Sequence, residues 1–570
     1  LCIVLLSGKI FASLPRTERG KFIVIGGDPK NKKNILYTNG KNVIIRDIED
    51  PSVADLYAEH SHNVTVAKYS PSGFYICSGD STGKVRIWDT TQKEHILKAE
   101  YQPLGLEISD IDWTEDSKRI AVAGMGRETF AHAFLMDSGS SVGSLTGVAK
   151  KCNAVSIKPT RPYRLVLASE DDCCVFYENV PFKFKCTITD HTKFVNCVRF
   201  SPNGEFFISG SADGRAFKYD GKDATKIGEM GNPAHKGGIY GLSFKDDGTE
   251  VLTCSGDKTC KIFNTASGDP LVTFNMGSTI PCQQMGCLWQ GDNIISVSLS
   301  GYINYLDRNN PDTPLRVIKG HNKIINALAI HDGIIYTSSL RATIDTSKNE
   351  AHADTGKNDG FEGKCHASKV ADMVICENEL ITVSEDDTIM FSDLKSKQFG
   401  TSVGLDSQPK AVAAVPGLTV VTCENHVIVF KGHNKAGVNK FDNEPFSVAI
   451  NGDNKVAIGG KKDKKVHIYT ENSGTLKEDT VITDYGSGTG EATDLAFSPN
   501  NEYLAMAGGD RFVRLYKLPA YDVSTRQAKS LLCPTDKVLL NDLKINKNKF
   551  VLHPHLLPPS ISCPLGKSYL

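Results

Sequence analysis

Two short patterns return about every 40 to 45 residues along this chain, the period of a small four-stranded sheet used as a repeating unit. The first is a turn between two apolar runs, Ser-Pro-x-Gly or a relative of it. It stands at Ser70-Pro71-Ser72-Gly73, Ser201-Pro202-Asn203-Gly204, Lys245-Asp246-Asp247-Gly248 and Ser498-Pro499-Asn500-Asn501. Proline presets φ at a turn's second position, and glycine accepts the positive φ that follows. The second pattern is an Asp followed six residues later by an aromatic, in a stretch that alternates with period two. It stands at Asp171 and Tyr177, Asp213 and Tyr219, Asp257 and Phe263, Asp463 and Tyr469, and Asp510 and Tyr516. Asp386 holds the same place ahead of Ser392.

These spacings predict an all-β chain of WD-type propeller blades. In such a blade the Asp sits in the tight turn between the second and third strands, and the aromatic sits on the third. A histidine in the preceding loop can join them, and His191 and His235 stand there for two blades. Trp88, in Val85-Arg86-Ile87-Trp88-Asp89, supplies the aromatic of the second blade. Thr82 stands where its Asp is expected, so that blade's polar network must differ. A buried carboxylate or imidazole is costly unless it is bonded. Because the spacing recurs blade after blade, Asp171, Asp213, Asp257, Asp386, Asp463, Asp510, His191 and His235 read as scaffold; a catalytic constellation would occur once.

About twelve blades fit between Lys21 and Tyr521. Closing sheets into a ring removes most exposed edges, and seven is the common size, so two propellers in series are expected. The boundaries read as an N-terminal segment 1–15 carrying one outer blade strand, a first propeller 16–320 and a second propeller 321–525. A non-repeat tail follows at 526–570. In the eighth blade, Arg341 to Lys364 is polar and is expected to lack a third strand. After Tyr521 the period stops, so the second propeller is expected to be incomplete at its C-terminal end.

Composition narrows the function. Lys and Arg number 65 against 66 Asp and Glu, without the basic excess that phosphate binding favours, so no nucleic-acid partner is expected. The 16 cysteines show no CxxC pair, and many fall in apparent strands as small hydrophobes; a reducing, cytoplasmic setting is expected. No apolar run is long enough for a membrane helix, and Leu1 to Leu6 lacks the flanks of a leader. Gly486-Ser487-Gly488-Thr489-Gly490 precedes a strand, not a helix, and cannot cradle phosphate as a helix N-terminus does. Cys365-His366 has no further ligands nearby for a tetrahedral metal site, and His366 stands where a blade-opening histidine is expected. No cofactor, metal or catalytic residue is assigned. A propeller hydrolase would need a convergent polar cluster in a central channel, and none is expected. The chain reads as an interaction protein, not an enzyme.

Several stretches resemble the actin-interacting protein 1 family, and they run in family order. They include Phe11-Ala12-Ser13-Leu14-Pro15-Arg16-Thr17, Leu36-Tyr37-Thr38-Asn39-Gly40 and Pro181-Phe182-Lys183-Phe184-Lys185. Others are Leu252-Thr253-Cys254-Ser255-Gly256-Asp257-Lys258-Thr259-Cys260 and Leu315-Arg316-Val317-Ile318-Lys319-Gly320-His321-Asn322-Lys323. The resemblance implies two seven-bladed propellers and a monomer that acts on actin filaments decorated by ADF/cofilin. It implies severing, disassembly and barbed-end capping at the actin cytoskeleton. It also implies an actin- and cofilin-binding surface at Glu128, Glu170, Lys183, Phe184 and Phe194. Strand alternation sets Phe182 and Phe184 on one face and Lys183 and Lys185 on the other. Phe184 either anchors a partner at the rim or packs between blades. The repeat alone would equally suit a general scaffold for a complex unrelated to actin.

Overall fold

In the computed structural model the described residues are 3–4, 10–143, 145–332, 334–339, 344–348, 361, 365–483, 491–509 and 513–527. Among them the only helical element is one 3-10 turn, Ile280–Cys282; the rest is strand and connection. Asp510, the glycine-rich loop 486–490 and nearly all of the tail lie outside the described residues.

The unit of construction is a meander of antiparallel strands in chain order. The fifth is Val195–Phe200, Phe206–Ser211, Ala216–Asp220 and Lys226–Glu229, hydrogen-bonded in that sequence. Seven such sheets occupy the stretch from Gly26 to Ile318 and five the stretch from Ile325 to Gln527 among the described residues. This is the architecture of tandem WD-repeat propeller blades. The chain divides into two compact units, the first reaching Ile325 and the second beginning at Asn326, with short pieces between 333 and 360 divided between them.

The turns form for the reason their composition suggests. Gly73, Gly204 and Gly248 have φ of 73°, 72° and 72°, and Asn501 takes φ 55° in the turn that lacks the glycine. The Ser70 and Ser201 hydroxyls accept backbone N–H groups from Tyr75 at 3.1 Å and Phe206 at 3.3 Å. This ties each turn to the strand that follows.

In the first unit the ring closes without a covalent link. The Ile23 N–H donates to the Met285 carbonyl at 2.9 Å. The Thr17 hydroxyl donates to Leu299 O at 2.6 Å and the Tyr305 hydroxyl to Ile48 O at 2.8 Å. One apolar cluster joins Ile25, Ile35, Tyr37 and Ile44 of the first blade to Ile295, Val297, Ile303 and Ile318 of the seventh.

Three expectations change. Ile10–Phe11 pairs with Ile3–Val4 in a two-stranded piece and joins no blade among the described residues; Leu14 is buried and donates its N–H to His321 O at 2.9 Å. The eighth blade does have a third strand, Ile344–Lys348, in a sheet with Ile325–His331 and Ile334–Ser339; strand pairing supplied what the missing aromatic had hidden. A convergent polar cluster also exists. The inner strands of the first unit surround a channel of 390 Å³ lined by Lys68, Asp112, Asn196 and Arg199, among others.

Beside that channel Asp110 is fully buried, with Arg199 Nη1 at 2.6 Å and Lys68 Nζ at 3.7 Å. Asp110 and Asp112 also accept the N–H groups of Val155 at 3.0 Å and Ile157 at 2.6 Å. Two aspartates thus stitch the inner strand of the third blade to that of the fourth, and Arg199 brings in the fifth. Burial alone would raise the Asp110 carboxyl, but Arg199 and Lys68 outweigh it and hold it below the usual range. Asp110, Asp112, Lys68 and Arg199 are thus engaged with one another or with the backbone of neighbouring strands. Asp110→Ala should lower the stability of the first unit by about 3–5 kcal/mol in urea denaturation, because Arg199 and Lys68 lose their carboxylate and the Val155 N–H loses its acceptor. Adding Arg199→Met should recover part of that loss; strictly additive losses would show the pair is not coupled.

Candidate functional site

In the fifth blade His191 precedes the first strand and Asp213 sits in the turn between the second and third. Their Nδ1 and Oδ2 atoms are 3.1 Å apart, and His191 Nε2 meets the Ser209 hydroxyl at 2.7 Å. Asp213 also accepts N–H groups from Thr192 at 3.0 Å and Arg215 at 2.8 Å. The sixth blade repeats this with His235, Asp257 at 3.1 Å and Thr253 at 2.7 Å. In the ninth, His366 meets Thr382 at 2.9 Å and lies 3.3 Å from Asp386, which accepts the Ala367 N–H. Burial would raise the Asp213 and Asp257 carboxyls, but the histidine and the backbone donors hold both well below the usual range. Gly214, at φ 80°, makes room for the next blade: its carbonyl accepts the His235 N–H at 3.0 Å, and a Cβ there would lie 2.5 Å from His235 O.

Elsewhere the pattern varies. Asp171 accepts N–H groups from Ala149 at 2.7 Å and Lys150 at 2.9 Å, with no histidine. Asp463 is met by His467 Nε2 at 2.7 Å, from its own hairpin. In the second blade the carboxylate and hydroxyl have exchanged places: Asp80 stands where Ser211 and Ser255 stand in others, and Thr82 where Asp stands. Asp80 caps the Thr82 N–H at 2.9 Å, and its other oxygen lies 3.5 Å from His60 Nδ1 without a hydrogen bond. Trp88 Nε1 donates to the Ser78 hydroxyl at 3.1 Å, which also meets His60 Nε2 at 2.7 Å, and the indole stacks on Tyr57. The Asp-to-aromatic pattern had not revealed these hydroxyls, yet Ser78, Ser209, Thr253 and Thr382 each stand four residues before the turn position.

The remaining candidates lie on the surface of the third to fifth blades. Glu128 is exposed in the hairpin between Arg119–Gly124 and Ala131–Leu135. Glu170 is half-buried beside Asp171, its N–H bonded to Lys151 O at 2.9 Å. Phe194, 48% exposed, follows the His191 loop. Lys183 and Phe184 begin the outer strand Lys183–Ile188, whose register pairs Lys183 with Glu178 and Ile188 with Cys174. They therefore stand roughly 17 Å along the strand from the end beside the Glu170 loop. The structure gathers Glu128, Glu170 and Phe194 on the loop rim and sets Lys183 and Phe184 on the blade's flank.

Phe184 is 48% exposed, with one edge toward Tyr177 at 6.3 Å between ring centres. Phe182 does not share its environment: it precedes the strand, donates its N–H to Val142 O at 2.8 Å and is buried between blades. Lys185 pairs with Glu178 at 3.1 Å.

The WD domain, G-beta repeat family matches residues 53–89, 182–220, 229–264 and 480–517. Three of these stretches take in the first three strands of the second, fifth and sixth blades, where a buried histidine meets a hydroxyl. WD repeat-containing protein 1 of Xenopus tropicalis is 51% identical over 522 residues, covering 90% of this chain and 84% of the relative. That of Gallus gallus is 50% identical over 523 residues, with the same coverage. The chain belongs to the WD repeat-containing protein 1 family. Actin-interacting protein 1 of Drosophila melanogaster is 45% identical over 518 residues, again covering 90% of this chain and 84% of the relative.

In this member of the WD repeat-containing protein 1 family, the exchanged network of the second blade has a thermodynamic signature. Burial pushes the His60 pKa from 6.5 down to about 4, against the pull of Asp80. A histidine depressed on folding stabilises fully above its unfolded value, and that contribution is lost as pH falls toward the folded value. The first unit should lose up to about 3 kcal/mol from this group between pH 7 and pH 4. His60→Gln should flatten that part of the profile in urea denaturation; an unchanged slope would show that His60 titrates alike in both states.

Proposed function

We propose that this chain binds actin filaments in cooperation with ADF/cofilin and promotes their severing, disassembly and barbed-end capping. It does so as a monomeric, non-enzymatic factor of the cytoplasmic actin cytoskeleton. The observation that carries this reading is the 45% identity to Drosophila melanogaster actin-interacting protein 1 across 90% of the chain. A non-catalytic role fits the repetition: pairs of histidine and aspartate recur in the fifth, sixth and ninth blades with backbone amides and hydroxyls as their partners, as a scaffold network does.

The contact residues in this reading are Glu128, Glu170 and Phe194 on the rim and Lys183 and Phe184 on the flank. Half-exposed phenylalanines among charged groups have the make-up of interface anchors: each offers apolar area that a partner can desolvate. Phe184 and Phe194 are each 48% exposed, so their truncation removes little from the core.

Co-sedimentation with actin filaments, with and without cofilin, tests the proposal. Depletion of the chain from the supernatant and faster filament loss are expected only when cofilin is present. Lys183→Glu with Phe184→Ala should weaken binding about tenfold or more and leave the melting temperature nearly unchanged. Equal activity without cofilin, or none with it, would sink the proposal.

A further inference from the structure

Lys68 stands on the inner strand Val64–Tyr69 of the second blade and Arg199 on the inner strand Val195–Phe200 of the fifth. Two blades separate them, yet both side chains reach Asp110 of the third, Lys68 at 3.7 Å and Arg199 at 2.6 Å. They do so across the axial channel that both line. Arg199 uses one nitrogen for this. Its Nη1 donates to Asp110 and to the Val155 and Val198 carbonyls at 3.2 and 2.9 Å. The opposite edge, Nε and Nη2, meets no acceptor among the described residues and is not enclosed by protein. Tying the third, fourth and fifth blades together needs Nη1 alone, so the scaffold does not account for the open edge.

The charges are graded by depth. Asp110 is fully buried behind the cations, whereas the Arg199, Lys68 and Asp112 side chains are 21%, 17% and 22% exposed. Two cations therefore face the lumen against one carboxylate. Glu115, also on the lining, is exposed in the turn that follows the inner strand of the third blade, where the channel meets solvent. Elsewhere the wall is apolar, with Phe200, Leu242, Phe244 and Leu288. The channel's 390 Å³ falls within the roughly 300–1,000 Å³ of small-molecule sites, and an apolar wall with a few convergent donors is their usual make-up.

We propose that the axial channel of the first unit binds a small organic monocarboxylate with an apolar body, its carboxylate seated on the Nε–Nη2 edge of Arg199. That edge is a planar pair of N–H donors, which matches the two oxygens of a carboxylate. Lys68 sets a second positive charge beside it. One negative charge balances what the lumen presents; a phosphate would bring a second one against Asp112. The apolar body packs on the wall, which an inorganic anion would leave unused. Such a ligand occupies the axis, apart from the rim and flank residues assigned to the filament.

Titration of the full chain with benzoate and with hexanoate tests this, read by intrinsic fluorescence, since Trp113 lines the channel, and by the shift in melting temperature. Saturable binding at one site with a Kd of about 1 mM or tighter is expected. Benzamide keeps the ring without the charge and should bind about tenfold more weakly or worse; inorganic phosphate should not compete. Arg199→Lys keeps a charge beside Asp110 but removes the fork. Leu288→Trp narrows the channel at a position that takes no part in the ion pairs, and it carries the test where the first variant does not fold. Each should weaken binding about tenfold or more. Failure of both carboxylates to bind saturably, equal binding of benzamide, competition by phosphate, or unchanged affinity in a folded variant would overturn the proposal.

Discussion

A sheet that is apolar on both faces cannot stand by itself, and this constraint governs the first unit. The strand Arg164–Ser169 shows it directly. Leu165 and Leu167 belong to one buried cluster with Ala121, Ala133 and Val142 of the third blade; Val166 and Ala168 belong to another with Val198, Phe207 and Phe217 of the fifth. Alternation along a strand normally separates a wet face from a dry one; here both faces are dry. Each blade therefore needs two neighbours, and the requirement ends only when the seventh blade meets the first at Ile295, Val297, Ile25 and Ile35.

Polar groups serve the same end. Hydrophobic packing is tolerant of small rotations, so blades need directional contacts to set their spacing. The turn aspartates supply these at the rim, and Asp110, Asp112 and Arg199 supply them near the axis. In the second blade, with Asp80 and Thr82 exchanged, the carboxylate still covers the turn's amides at Thr82 and Lys84 but makes no hydrogen bond to the histidine. Outside these networks stand exposed side chains: Met125 and Glu128 on the extended hairpin, Phe194 beyond the His191 loop, and Phe184 on the flank.

Much of the fold was legible because its signals are local. Ser-Pro-x-Gly encodes a backbone conformation within four residues, and Gly73, Gly204 and Gly248 adopt the positive φ it implies. The Asp-to-aromatic interval spans one hairpin, so Asp213 with Tyr219 and Asp257 with Phe263 marked their strands. The candidate site was legible only as far as family resemblance named its residues. Strand alternation misjudged Phe182, which an inter-blade contact draws into the core, and it could not show that Phe184 lies on the flank of the fourth blade and Phe194 on the rim beside the fifth.

By itself, then, the sequence determined the repeat, the turns, the all-β character and the family, since these depend on neighbours along the chain. Tertiary structure alone decided that Asp110 meets Arg199, 89 residues away. It also decided that Ile344–Lys348 completes a sheet without an aromatic, and that the hairpin 125–130 leaves Met125 and Glu128 exposed while Phe130 packs on the core. These outcomes depend on which strands lie side by side once the sheets pack, and a linear pattern carries no measure of that distance.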